Sequence, residues 1–273
     1  MQMDKTRIVI RQRGWSEILD LALHVCRSQA AGLLAALLAG AVPMALLNYA
    51  LTRGMLSDVE YQGEWPWDYV WSNVLLALLE APLVTAPATL YLGQSLFEEV
   101  AGARRIARDF VSSLPQLLLF QGLLRTLLVL PIVTAVLPFA MWPYANEIIL
   151  LERNPLVARR AGTLSARRRS AALHSGMSGE LFVQSIGAFL LGAALVVMFL
   201  LTIWFFYAML SGDWEFGWWV FAVGLPATIW SVVGYLVVVR FLSYLDLRIR
   251  REGWDVDLAL RAQRARLLRQ VSA

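Results

Sequence analysis

A single cysteine, Cys26, and two histidines, His24 and His174, are found among 273 residues. One thiol cannot form an internal disulfide, which excludes a disulfide-built secreted scaffold. Two imidazoles are too few for a histidine-based metal cage, so no metal or other cofactor is expected. Charge is scarce as well: 16% of residues are charged and 59% hydrophobic, with a mean hydropathy of +0.59. Soluble domains average about 25% charged and about 45–50% apolar residues. A water-soluble globule of this length cannot bury so large an apolar fraction, and the same numbers exclude disorder and a collagen-like fibre. Catalytic signatures are lacking too. The segment SGMSGELF has glycines but no Gly-Lys-Ser/Thr, and neither HExxH, CxxC nor GxSxG occurs. A non-enzymatic role is therefore expected.

What the chain does contain is long runs without charge. A helix needs about 20 apolar residues to cross roughly 30 Å of hydrocarbon. The gap between Arg27 and Arg53 predicts a span at about 30–51. Between Asp68 and Glu98 only Glu80 is charged, predicting a second span at 70–93. Uncharged stretches between Glu180 and Asp213 and between Glu215 and Arg240 predict spans at 181–210 and 217–239. Between Asp109 and Glu147 only Arg125 is charged, and Pro131, Pro138 and Pro143 interrupt the run. Proline removes a donor and clashes with the preceding turn. This stretch is long for one helix and short for two.

Charge asymmetry bears on its parity, because Lys- and Arg-rich loops stay cytoplasmic. Lys5, Arg7, Arg11, Arg13 and Arg27 precede the first span, and Arg104, Arg105 and Arg108 follow the second. Arg153, Arg159, Arg160, Arg167, Arg168 and Arg169 precede residue 181, and the tail from Arg240 is rich in arginine. The segment 52–69 instead sets Arg53 against Asp58, Glu60, Glu64 and Asp68, and 211–217 has no basic residue. Both chain ends and both flanks of 110–151 are thus expected in the cytoplasm. The stretch then crosses twice, as short helices at about 114–131 and 133–151, or dips in and returns as a re-entrant pair.

The expected architecture is all-α: a polytopic helical membrane bundle of about six transmembrane helices, with interfacial amphipathic helices. Residues 1–29 form a cytoplasmic amphipathic segment, 30–239 the transmembrane domain and 240–273 a basic cytoplasmic helix. The expected location is a bacterial inner membrane, and the first apolar run lies too far behind charged residues for a cleaved signal peptide. In GWSEILDLALHVCR, Trp15, Ile18, Leu19, Ala22, Leu23 and Cys26 fall on one helical face, with Ser16 as a plausible cap. The segment 94–113 repeats the pattern with Leu96, Phe97, Val100, Ile106 and Phe110, and Asp255 or Asp257 caps a tail helix. Trp65, Trp67, Tyr69, Trp71, Trp214, Trp218 and Trp219 cluster where outer headgroups are expected, as interfacial aromatics do.

Intramembrane charge is the sharpest feature, since such groups are costly and mark functional sites by default. Glu80 and Arg125 reach similar depths on neighbouring spans, a candidate ion pair; the alternative is a snorkelling Arg125 with Glu80 protonated or facing water. Asn48, Gln116 and Gln121 can hydrogen-bond between helices. Glu147 and Glu152, at the inner edge, are given no special role. Arg167, Arg168 and Arg169 are placed near anionic headgroups. In SYLDLRIRREGWD, Asp246 and Glu252 are expected to pair with arginines of the same segment or of 153–169, docking the tail. Arg248, Arg250 and Arg251 are alternatively headgroup ligands.

Three stretches carry a resemblance: RQRGWSEILDLALHVCRSQAAGLL, the NEIILLERNPLVARRAGTLSARRRSAALHSG region, and RFLSYLDLRIRREGWDVDLAL. In the last, Tyr244, Asp246, Arg248, Arg250, Arg251, Glu252 and Gly253 are the most specific. Together they resemble bacterial integral membrane proteins of the glycerophosphoryl diester phosphodiesterase membrane-domain type. The resemblance implies a helical membrane bundle; that family's membrane domain is sometimes fused to a phosphodiesterase, and this chain carries no such catalytic domain. The functional expectation is a scaffold or accessory subunit of a membrane complex. A transporter or lipid-handling protein with a midplane polar site is the alternative. Expected partners are anionic lipid headgroups on the cytoplasmic face and a membrane or cytoplasmic protein, not nucleic acid.

Overall fold

The computed structural model of the chain describes residues 13–56, 65–95, 102–124, 126–127, 144–153, 155 and 165–252. Every regular element among them is helical. Helix α1 (Trp15–Ser28) leads into α2 (Ala30–Thr52), which closes in a short 3-10 turn. Helices α3 (Trp67–Val84) and α4 (Ala86–Ser95) form one long, broken rod. Helix α5 (Ala103–Leu117) widens into a π-helical stretch, Leu118–Leu124. Two short helices follow, α6 (Ala145–Leu151) and α7 (Ala166–His174). The long α8 (Ser178–Ser211) then turns back into α9 (Leu225–Glu252) through the π-helical Val220–Gly224.

Four helical segments are long and apolar enough to cross a membrane: Ala30–Leu56, Trp67–Ser95, Ser178–Ser211 and Val220–Glu252. The first and third keep most of their apolar side chains on the outside, whereas the second and fourth bury half or more of theirs. Only 6% of the most apolar window of α8 is buried, with Val183, Leu190, Met198, Phe206 and Leu210 on the outside. Water would penalise that surface at about 25 cal/mol per Å², whereas hydrocarbon does not. At 1.5 Å per residue, α8 is roughly 50 Å long, well beyond the hydrocarbon core. Gly212, at φ 75°, ends it with the left-handed turn that glycine adopts without Cβ strain.

Helix α9 is the axis of the bundle, packing against α1, α2, α3, α4 and α8. Ile18, Ala22 and Val25 of α1 bury themselves against Val237, Val238, Phe241 and Leu242. The inner edge of the amphipathic α1 is thus taken up by protein, while Leu23 of the same expected face is exposed. Its N-cap is Gly14 rather than Ser16, with no side-chain cap bond.

The rod α3–α4 breaks at Thr85 because Pro87 has no N–H to return to the Leu83 carbonyl. The Thr85 hydroxyl donates back to Ala81 O at 2.6 Å. Gly40 of α2 sits directly against the Val84 carbonyl at this break, so tightly that a Cβ would collide with backbone. Close helix crossing inside a membrane depends on such small residues.

At the end of the bundle near residues 65 and 216, aromatic side chains close the structure. Trp65 lies 4.9 Å from Phe216 and 5.6 Å from Phe221 between ring centroids, and Trp204 stacks on Phe216 at 4.5 Å. Trp67, Trp71, Trp214 and Trp218 are exposed there. Tyr69 differs from the expectation: it is wholly buried, because its position in the first turn of α3 faces the bundle. The expected count of about six spans depends on 128–143, which lie outside the described residues, as do Asp255, Asp257, Leu96, Phe97 and Val100. Leu118–Leu124 packs along α3.

Candidate functional site

Polar residues gather at the other end of the bundle, where α1, α6, α7, the start of α8 and the last turns of α9 meet. The deepest pair is Glu147 with Arg240. Glu147 lies in the first turn of α6, where the helix dipole favours a negative charge, and its side chain is 0% exposed. Arg240 reaches it from α9, with Nε 2.7 Å from Oε1 and Nη2 3.0 Å from Oε2. Helix α9 runs through Arg240 without a break. A lone buried charge costs several kcal/mol, so each of these residues is tolerable only because of the other.

Roughly three turns further along α9 sits a larger cluster. Arg169 of α7 donates Nε to Glu152 Oε2 at 2.6 Å and Nη2 to Glu152 Oε1 at 2.9 Å. The same guanidinium contacts Glu252. The Tyr244 hydroxyl donates to Glu152 Oε1 at 2.6 Å, and Arg248 donates to Glu252 Oε2 at 2.9 Å. Bidentate arginine–carboxylate contacts of this kind fix orientation as well as charge. Burial alone would raise the Glu152 carboxyl, but the hydrogen bonds from Arg169 and Tyr244 and the Arg248 charge outweigh it and hold Glu152 below the usual carboxylate range.

A third group ties the amino-terminal side in. Asp246 accepts from the Arg13 backbone N–H at 2.8 Å and pairs with Arg250 Nε at 2.7 Å. Arg250 also donates Nη2 to the Arg13 carbonyl at 2.7 Å and approaches Glu180 of α8 at 3.5 Å. To one side, Arg153 holds the buried Asp109 of α5 at 2.6 Å. Arg153 takes φ 53°, the left-handed conformation that ends α6 and turns the chain.

The structure therefore brings together Arg169, Arg248 and Glu252, and separately Asp246 and Arg250. Arg167 and Arg168 are exposed on α7, and Arg251 is exposed on α9. The α7 turn forms because Ser165 caps it, accepting from the Arg168 backbone N–H at 3.3 Å. Buried between α7 and its neighbours, His174 accepts or donates at Nδ1 with Ser170 Oγ, 3.0 Å away. Burial, with the Arg251 charge in support, pushes the His174 imidazole down to about 4, so it is neutral at pH 7.

Glu80 meets one of the polar residues expected to bond between helices. It accepts from Asn48 Nδ2 at 2.9 Å, linking α3 to α2. Arg125 lies outside the described residues. Among the described residues, no three of His, Cys, Asp and Glu lie together as metal ligands would. Glu147, Glu152, Arg240 and Tyr244 are the members that sequence reasoning passed over. Glu147, given no special role from its place at the inner edge, is fully buried in α6 and paired with Arg240. A signal existed: Glu147 opens an apolar run and Arg240 closes one, on the same arginine-rich side.

Compared with known proteins, the chain matches no family model, no curated protein and no solved structure.

Proposed function

We propose that this protein is a non-enzymatic scaffold or accessory subunit of a bacterial inner-membrane complex, its arginine-rich end forming a rigid cytoplasmic platform. One observation carries the reading. The carboxylates of Glu147, Glu152, Asp246 and Glu252 are each engaged by a guanidinium, and those contacts clamp segments from residue 13 to residue 252. Such a cluster directs its charge inward, into holding elements in register, which is a fixed mount's chemistry. Arg167, Arg168 and Arg251 are exposed beside it and suit an acidic protein surface or anionic headgroups. The six-span topology, with both chain ends in the cytoplasm, belongs to this proposal, as does kinship with the glycerophosphoryl diester phosphodiesterase membrane-domain type.

The test is photo-crosslinking in native membranes from probes at residues 167, 168 and 251. A discrete protein adduct, lost on reversing those three arginines to glutamate while thermal stability is kept, supports the platform. Adducts with lipid alone, or a protein adduct indifferent to charge reversal, overturn it. Maleimide labelling of introduced cysteines at 167 and 213, in a Cys26→Ser background, checks orientation: only 213 is expected to react from outside.

A further inference from the structure

Between α3, α8 and α9 lies a groove of about 220 Å³, open along one side. Helix α8 packs chiefly on α9 and the turn before it, with Gly187 against Trp15 of α1, and a slot is left towards α3. Its lining changes along its length. At the arginine-rich end are Arg240, Ser243, Thr85 and Gln184. Deeper in are Leu78, Phe189, Val233 and Leu236. Val233 precedes Arg240 by two helical turns, placing the apolar end about 10 Å further into the bundle at 1.5 Å per residue.

Arg240 presents a usable edge here. Its Nε and Nη2 face Glu147, while Nη1 has no partner among the described residues and the side chain is 30% exposed. Arginine carries five donors in a fixed fork, so one guanidinium can hold a buried carboxylate on one edge and a second anion on another. In a helical bundle whose outer surface is apolar, the solvent filling an open lateral slot is lipid. The polarity of the groove runs the same way as a bilayer leaflet, with cation and hydroxyls towards the arginine-rich end of the bundle and hydrocarbon towards the middle.

From this gradient we infer that the groove seats one bilayer phospholipid, its phosphodiester on Arg240 Nη1 and an acyl chain along Leu78, Phe189 and Leu236. This site is distinct from the outward arginines of the platform, and it stands or falls without them.

The full-length protein, purified in mild detergent and exchanged into lipid-free detergent, is examined by native mass spectrometry. Phosphatidylglycerol, phosphatidylethanolamine and diacylglycerol are then added separately. One retained phospholipid of either headgroup, with diacylglycerol not retained, is the expected result. Ala188→Phe fills the groove from α8 without touching a charge and should reduce retention roughly tenfold, about 1.4 kcal/mol in affinity. Leu236→Trp serves the same purpose from α9, so whichever of the two folds gives the answer. Arg240→Lys keeps a cation for Glu147 but loses the Nη1 edge, and should abolish the preference over diacylglycerol. Equal retention of diacylglycerol and phospholipid overturns the phosphodiester contact. Undiminished retention in a folded groove-filling variant overturns the site.

Discussion

Removing the charge on Glu147 while keeping its shape should expose how much the bundle depends on one buried pair. In Glu147→Gln, the amide oxygen can still accept one hydrogen bond from Arg240, but the guanidinium loses its counter-charge in a place where the carboxylate was fully buried. Two unit charges about 4 Å apart attract by roughly 4 kcal/mol at an effective dielectric near 20. Breaking a buried pair from one side typically costs about 3–5 kcal/mol. The retained hydrogen bond and the partial exposure of Arg240 place the expectation at the low end, about 3 kcal/mol. For a protein of this size, roughly 2–4 °C of Tm accompany each kcal/mol, so a fall of about 6–12 °C is expected. Intrinsic tryptophan fluorescence during heating in detergent reads it directly. The control is Glu147→Leu with Arg240→Met, which removes both charges and substitutes apolar volume. Such replacements are often neutral or stabilising, so the double variant should lie close to the parent. A double variant as unstable as the sum of its single changes would refute the pairing. So would a Glu147→Gln protein that melts with the parent.

Two further outcomes follow from the same geometry. His174 is held at about 4 when folded, below the ordinary value of about 6.5, so its contribution is present above pH 6.5 and is lost as pH falls towards 4. Tm should drop across that window, and His174→Asn should flatten the drop; an unchanged slope in the variant would remove His174 as the cause. At the crossing of α2 with the α3–α4 break, Gly40→Ala places a Cβ against the Val84 carbonyl. Overpacking of this kind costs about 1–3 kcal/mol, whereas Gly54→Ala, which meets no atom, should be close to neutral; equal melting of the two variants would contradict the close approach.

How much of this was legible beforehand can be read from particular residues. Charge-free runs located the four long segments because hydrocarbon imposes a minimum apolar length that water does not, and that constraint acts on sequence alone. The boundaries held to a few residues where a charge or a proline marked them. The last helix ran past its expected end, through Arg240 to Glu252, where its arginines pair both with Asp246 and Glu252 of the same helix and with Glu147 from α6. Glu80 and Asn48 show the same: each was legible as a polar group inside a span, but they stand 32 positions apart, and only helix packing places them at 2.9 Å.

Apolar length and the distribution of basic residues were thus settled by the chain itself, since both are sums over local sequence. Which acid meets which arginine was decided only by the folded bundle. Coulomb attraction depends on distance in space, and Glu147 stands 93 positions from Arg240 along the chain. The same holds for the groove: no residue lining it announces a cavity, which arises from how α8 packs on α9 and leaves a slot towards α3.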